Sequence, residues 1–265
     1  MMITTVDQTG REIILKTFPK KIVSVVPSQT ELLFDLGLND EVIGVTKFCV
    51  HPAGAMKTKT IIGGTKNLNV EKIFSLNPDL ILANKEENSR EQFELLAKNF
   101  QVWISDVKNL DDALAMIKSA GTMTNKVHEA NFLIERINSG FLKIRNPKSE
   151  IRNFTSVYLI WHNPMMTVGS DTFIHHMMQR CGFENVFADK KRYPQISARE
   201  LQEMNPEIIL LSTEPFPFRE KHIAHYRNIS PSSKIILVDG EMFSWYGSRL
   251  QFAPEYFLRL MQSLR

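Results

Sequence analysis

Short apolar runs alternate along the chain with stretches of helical periodicity. Residues 22–26 form a β-branched-rich run closed by Pro27, which reads as a buried strand. Ser28 and Glu31, three apart and just ahead of Leu32, Leu33 and Leu36, have the form of a capping box, so a helix is expected to begin there. Further strands are expected at 42–45, 80–83 and 102–104, and helices at 70–76 and 87–99. After Pro147 the alternation resumes, with strands at 157–160, 208–211 and 235–238. Helices are expected at 171–181 (ended by Gly182), 197–204 and 254–264. Such alternation predicts an α/β protein with mostly parallel, buried sheets.

Between the two alternating halves the period changes. Leu110, Ala113, Leu114, Ile117, Ala120, Val127, Ala130, Ile134, Ile137 and Phe141 recur at helical spacing, with no proline until Pro147. One backbone helix of about 35 residues would run about 50 Å, longer than one lobe is wide. Two helices meeting near 121–125, where Gly121 weakens the pattern, is the other reading. The expected organisation is an N-terminal α/β lobe over 1–108, a connecting helix over 109–147 and a C-terminal α/β lobe over 148–265.

An internal repeat supports two similar lobes. Leu76-Asn77-Pro78-Asp79-Leu80-Ile81-Leu82 returns as Met204-Asn205-Pro206-Glu207-Ile208-Ile209-Leu210, at a constant offset of 128 residues. In each copy a short helix meets a proline, which stops it and turns the chain into a strand. Two lobes joined by a connector leave a cleft, the usual place for a ligand.

Composition narrows the function. At 265 residues, 43% hydrophobic and 23% charged, the chain can bury two cores. A net charge of +3, with Lys and Arg scattered, gives no footprint for nucleic acid. Cys49 and Cys181 are the only cysteines and are expected to be free, partly buried thiols. No apolar run is long enough to span a membrane. The first residues show neither a basic nor an apolar signal region, which leaves a cytoplasmic location open. No GxGxxG, Walker loop, G-x-S-x-G or H-E-x-x-H occurs, so an α/β enzyme is the weaker alternative.

Several segments in order carry a family resemblance: 22–31, the Gly63-Gly64-Thr65-Lys66-Asn67-Leu68-Asn69 loop, both Asn-Pro repeats, 181–187 and Tyr193-Pro194-Gln195-Ile196-Ser197. Together they resemble the solute-binding proteins of ABC importers for iron chelates, haem and vitamin B12, the class with a helical backbone. They are most similar to the B12-binding branch. The resemblance implies a monomeric, non-catalytic protein, periplasmic or membrane-anchored outside the cytoplasm. Its ligand would be cobalamin or another corrinoid, alternatively haem or a ferric siderophore, delivered to an ABC permease. A cytoplasmic carrier of the same fold is the alternative. By matched position the ligand contacts would be Pro27, Ser28, Phe48, His51, Thr65, Lys66 and Asn84 from the first lobe. From the second they would be Trp161, His162, Asn163, Tyr193, Phe243 and Trp245. The B12 branch carries aromatics at the positions of Thr65 and Asn84, so the resemblance extends to a large chelate rather than to cobalamin in particular. A glutamate on each lobe would dock on the permease, here Glu91 and Glu220.

Aromatic side chains suit a flat macrocycle, because they offer large, stiff faces. Trp161, Tyr193, Phe243, Trp245 and Tyr246 fall in loops expected after strands, although Phe243 could equally plug the core. Arg249 could meet an anionic or amide group of the ligand or pair with a neighbouring acid. His51 and His162 could coordinate a metal or be structural; His175 and His176 are expected at the surface. No dedicated metal site is expected, since Cys49 and His51 have no third ligand nearby in sequence.

Overall fold

A computed structural model describes residues 2–144 and 153–264. The chain divides into two compact units, here called lobes. The first comprises Met1–Val107, Asp111–Arg136 and Tyr246–Arg249, so a four-residue strap from late in the sequence completes the early lobe. The second comprises Lys108–Leu110, Ile137–Trp245 and Leu250–Arg265.

The first lobe opens with an antiparallel hairpin of β1 (Ile3–Val6) and β2 (Glu12–Leu15), which periodicity did not predict. Asp7 pins it. One carboxylate oxygen accepts the Thr9 and Arg11 N–H groups, and the other accepts that of Ile104 at 3.2 Å. There follow β3 (Ile22–Ser24), α1 (Pro27–Asp35), β4 (Val42–Val45), α2 (Ala55–Thr58), β5 (Thr60–Ile61), α3 (Val70–Leu76), β6 (Leu80–Asn84), α4 (Arg90–Leu96) and β7 (Val102–Ser105). The five later strands form one sheet in the order β5-β4-β3-β6-β7, parallel throughout. Every residue of β3, β6 and β7 is buried, as a sheet covered on both faces requires.

The expected capping box is not there. Pro27 is the first helical residue of α1, where its missing N–H would be unpaired anyway. Ser28 and Glu31 therefore lie inside the helix, and Val26 stands at the cap without a side-chain bond.

The connector is helical but broken, which corrects the single-helix reading. α5 (Leu110–Met123) and α6 (Val127–Ile144) are separated by a turn in which Asn125 has φ 58°. Lys126 N–H donates to the Gly121 carbonyl at 2.7 Å. A Cβ on Gly121 would fall 2.4 Å from the Cβ of Ala130, so glycine there lets α6 fold closely against α5. The division between lobes falls within α6, between Arg136 and Ile137. The expected boundary at Pro147 lies outside the described residues.

The second lobe contains β8 (Phe154–Leu159), α7 (Phe173–Cys181), β9 (Phe183–Asn185), α8 (Ala198–Met204), β10 (Ile208–Ser212), α9 (Ile223–Ile229), β11 (Lys234–Val238), α10 (Glu241–Ser244) and α11 (Ala253–Leu264). Its four strands run parallel in the order β11-β10-β8-β9. Gly182, at φ 99°, ends α7, and Ser197 with Glu200 forms a true capping box on α8. His175 departs from its expected place at the surface. It is buried, with Nδ1 3.2 Å from the Asn185 amide. Burial and Lys191 hold the ring below the usual imidazole value. Cys49 and Cys181 are both free and fully buried, and burial raises both thiol pKa values.

The sequence repeat is a structural repeat. α3 and α8 each end on a left-handed asparagine, Asn77 at φ 48° and Asn205 at φ 41°, the residue type that tolerates this conformation without being glycine. Proline follows, and then β6 or β10, each paired in parallel with the first strand of its sheet, β3 or β8. In both sheets the chain builds outward on one side of that first strand and then returns to the other. The carboxyl ends of β3 and β6, and of β8 and β10, are therefore topological switch points, where α/β sheets hold ligands.

Candidate functional site

At the switch point of the first lobe the sequence places Pro27 and Ser28 after β3, and Asn84 with Glu86, Glu87 and Asn88 after β6. Ser28 is buried in the first turn of α1. Asn84 is buried and its amide is fully engaged. Nδ2 donates to Ser105 Oγ at 2.9 Å, while Oδ1 accepts the Glu86 and Glu87 N–H groups. The side chain thus shapes the loop that follows β6. Asn88, unremarked in the sequence, stitches three segments together. Its amide donates to the carbonyls of Val25 and Thr65, and its Oδ1 accepts the Asn84 N–H at 2.7 Å.

The Thr65–Lys66 loop is set by Gly63, at φ 101°, where a Cβ would sit 2.4 Å from the Asn67 carbonyl. Lys66 Nζ donates to the Glu86 carbonyl at 2.5 Å. Phe48 is half exposed beside Lys47, whose ammonium lies 5.2 Å from the ring centre. His51 is partly buried on the same loop and acts electrostatically on Glu31.

The strap seats here. Arg249 meets Glu31 in a two-pronged pair at 2.9 and 2.5 Å, with both side chains about nine-tenths buried. Burial holds the Glu31 carboxyl above its ordinary value, against the downward pull of Arg249. Tyr246 hydroxyl donates to Glu87 at 2.5 Å. Burial likewise raises Glu87, partly offset by that bond. A Cβ on Gly247 would fall 2.3 Å from the Ser28 carbonyl oxygen, so only glycine passes this close to α1. Of the two sequence readings of Arg249, the structure shows the acid pair.

In the second lobe, Trp161 and His162 follow β8. Trp161 is 38% exposed, its ring edge-on to Phe216 at 5.6 Å and its indole N–H donating to the Asn163 carbonyl. Asn163 is exposed at the tip of the turn that brings Met166 back to Trp161. Met166 also bridges to Gln195, which draws the 193–196 segment alongside. Tyr193 in that segment is partly exposed, with the Arg192 guanidinium 5.6 Å over its ring. His162 Nδ1 lies 2.9 Å from the Tyr226 hydroxyl, and its ring neighbours Phe216, Phe218, His222 and His225.

Phe243 is fully buried against Tyr158 and Phe257, at 5.2 and 4.8 Å. α10 turns this ring into the core, the alternative that the sequence left open for Phe243. Trp245 is 7% exposed and Tyr246 6%, so neither offers an open face. Phe216, which sequence reasoning missed, shares the exposed edge with Trp161. Its signal was available as Pro215-Phe216-Pro217-Phe218, an aromatic-rich loop after the repeated strand.

Glu91 is exposed in the first turn of α4 and accepts from Ser89 Oγ, while Glu220 is exposed at the start of the 3₁₀ turn Glu220–His222. Glu86 and Glu214 share the 128-residue offset, which Glu91 and Glu220 match within one residue, and the Glu214 carboxylate is held by Ser244 Oγ. Among the described residues no group of three His, Cys, Asp or Glu side chains could hold a metal ion, and no helix is long and apolar enough to cross a membrane.

Each lobe is a parallel α/β sheet with loops gathered at its switch point, the place where such sheets hold ligands. The chain belongs to the periplasmic binding protein family, which matches residues 22–225. It is 29% identical over 216 residues to an uncharacterised ABC transporter substrate-binding lipoprotein of Bacillus subtilis, covering 78% of this chain and 68% of that protein. It is 26% identical over 243 residues to the vitamin B12-binding protein of Pectobacterium carotovorum, covering 89% and 86%. The crystal structure of the periplasmic vitamin B12-binding protein of Vibrio cholerae superposes with a TM-score of 0.80 at 22% identity, over 92% of this chain and 98% of that one, a likeness of fold.

Proposed function

We propose that the protein is the non-catalytic binding component of an ABC importer, and that its ligand is a corrinoid or a related metal chelate. The observation that carries this reading is the similarity to a vitamin B12-binding protein over nearly the whole chain. The residues left open to a ligand agree with it. Phe48, Thr65 and Lys66 stand on the first lobe, and Trp161, Asn163, Tyr193 and Phe216 on the second. Stiff aromatic faces with a few polar groups suit a large, partly conjugated guest. Ser28, Asn84, Phe243, Trp245 and Arg249 support those surfaces from behind. Glu91 and Glu220, one exposed carboxylate on each lobe, are the groups that would meet cationic residues of a permease.

Titration of the purified chain with cyanocobalamin, cobinamide, haemin and a ferric siderophore, followed by tryptophan quenching and calorimetry, tests the reading. One of the four should saturate at a single site. Heat and fluorescence traces flat for all four would refute chelate binding.

A further inference from the structure

Three of the seven histidines gather on one patch of the second lobe. The His162 ring lies 5.2 Å from that of His222 and 5.1 Å from that of His225, centre to centre. Phe216, Phe218 and Tyr226 wall it in at 5.6, 6.1 and 5.8 Å. The cluster joins segments that are distant in sequence: the loop after β8, the loop after β10, the 3₁₀ turn and α9. Its hydrogen bonds depend on protonation. Nδ1 of His222 accepts the Arg219 N–H at 2.9 Å, which caps the 3₁₀ turn that the His222 N–H closes on the Arg219 carbonyl. A proton on Nδ1 abolishes the capping bond and leaves the Arg219 carbonyl, 3.1 Å away, as its partner.

The charged surroundings do not favour a protonated His162. On the turn stand Arg219, Glu220 and Lys221; on α9, His225, Tyr226 and Arg227; and on the loop after β10, Glu214, whose carboxylate is held by Ser244. His225, His222 and Lys221 act on His162, all in the same direction as its burial, keeping the ring below the usual imidazole value. Like charges on rings about 5 Å apart repel, and since His225 is exposed and His162 and His222 are partly exposed, that repulsion can be relieved by moving the rings apart into solvent.

We infer that His162, His222 and His225 form a proton-operated latch on the second lobe. Neutral rings pack and hold segment 213–226 against the loop after β8. Protonated rings repel one another and release it. The latch acts on the same surface as Trp161 and Phe216, and the segment it releases carries Glu220, so acid would loosen both a ligand wall and a docking element. It stands on the ring geometry and does not depend on which chelate binds.

The test uses the full chain, with histidine Cε1–H NMR titration and hydrogen exchange of segment 213–226, the latter corrected for intrinsic rates, between about pH 7.5 and about pH 5. Exchange in this segment should quicken at least about threefold in acid, while the β8 and β10 strands keep their protection. His162 should titrate below about 6.5, and in the His222→Gln/His225→Gln variant its midpoint should move up toward that value and the acid-quickened exchange should disappear. His128→Gln, an exposed histidine on α6, should change neither. Unchanged exchange across the pH range in the wild-type chain, or a His162 midpoint that does not move in the double variant, would overturn the latch; the wild-type measurement decides even if the double variant folds poorly.

Discussion

At the first lobe's switch point the polar side chains answer one another. Glu31 is paired with Arg249, Glu87 with Tyr246, and Asn84 and Asn88 with the loops they hold. At the second lobe's switch point the same strand positions lead instead into Trp161, His162 and Phe216, rings that meet one another and keep exposed edges. The strand plan around the two switch points is shared, so the contrast lies in the side chains and the segments that pack on them. It teaches that the duplicated lobes have divided the work: the first is braced by carboxylates and by a strap from the far end of the chain, and the second carries the adaptable aromatic wall.

Breaking the brace should have the largest effect. Arg249→Met leaves Glu31 buried without its guanidinium, and losing one partner of such a pair costs about 3 kcal/mol. Urea unfolding followed by circular dichroism should show it, and Arg249→Met with Glu31→Leu should recover much of the loss. A single-variant loss under about 1 kcal/mol would mean that the strap is held by Tyr246 and the fit of Gly247 rather than by the ion pair.

The second lobe offers a paired comparison of two aromatic residues that sequence treats alike. Phe243→Ala opens a cavity among Tyr158 and Phe257 and should cost about 3 kcal/mol. Trp161→Ala, at a position already 38% exposed, should cost less than about 1 kcal/mol of stability. The same substitution should weaken binding of whichever chelate saturates by about tenfold or more. Equal stability losses at the two positions would erase the distinction between core ring and ligand wall.

What the sequence disclosed follows from how local each signal is. The Asn-Pro repeats, the α7 stop at Gly182 and the strands 42–45 and 80–83 rest on neighbours a few residues apart, and they stand where expected. Ser28 and Glu31 mimic a local motif, but the partner of Glu31 is Arg249, 218 residues away, and Pro27 had already fixed the helix start. The hairpin β1–β2 is short and tied by Asp7 to Ile104, a contact no window can display. Phe216, His222 and His225 reach His162 only through the parallel pairing of β10 with β8. The aromatic loops were legible as residue types; which rings face outward was decided by packing.

The smallest effect sharpens the contrast through pH. Tyr246→Phe removes one donor from Glu87 and should cost about 1–2 kcal/mol at neutral pH, as loss of a hydrogen bond to a charged group does. A carboxyl whose folded pKa lies above its unfolded value binds more protons when folded, so its contribution falls as pH rises through that window and recovers in acid. Without the tyrosine the folded value climbs further, and the deficit of the variant should shrink as pH falls through that raised carboxyl window. His162 runs the other way. Its folded value is depressed, so the second lobe loses stability as pH falls through the unfolded imidazole value of about 6.5. Stability measured against pH for the wild-type and Tyr246→Phe chains should therefore converge in acid, while the wild-type chain itself weakens there through the second lobe. Curves that stay parallel to low pH would mean that Glu87 is not the group Tyr246 serves.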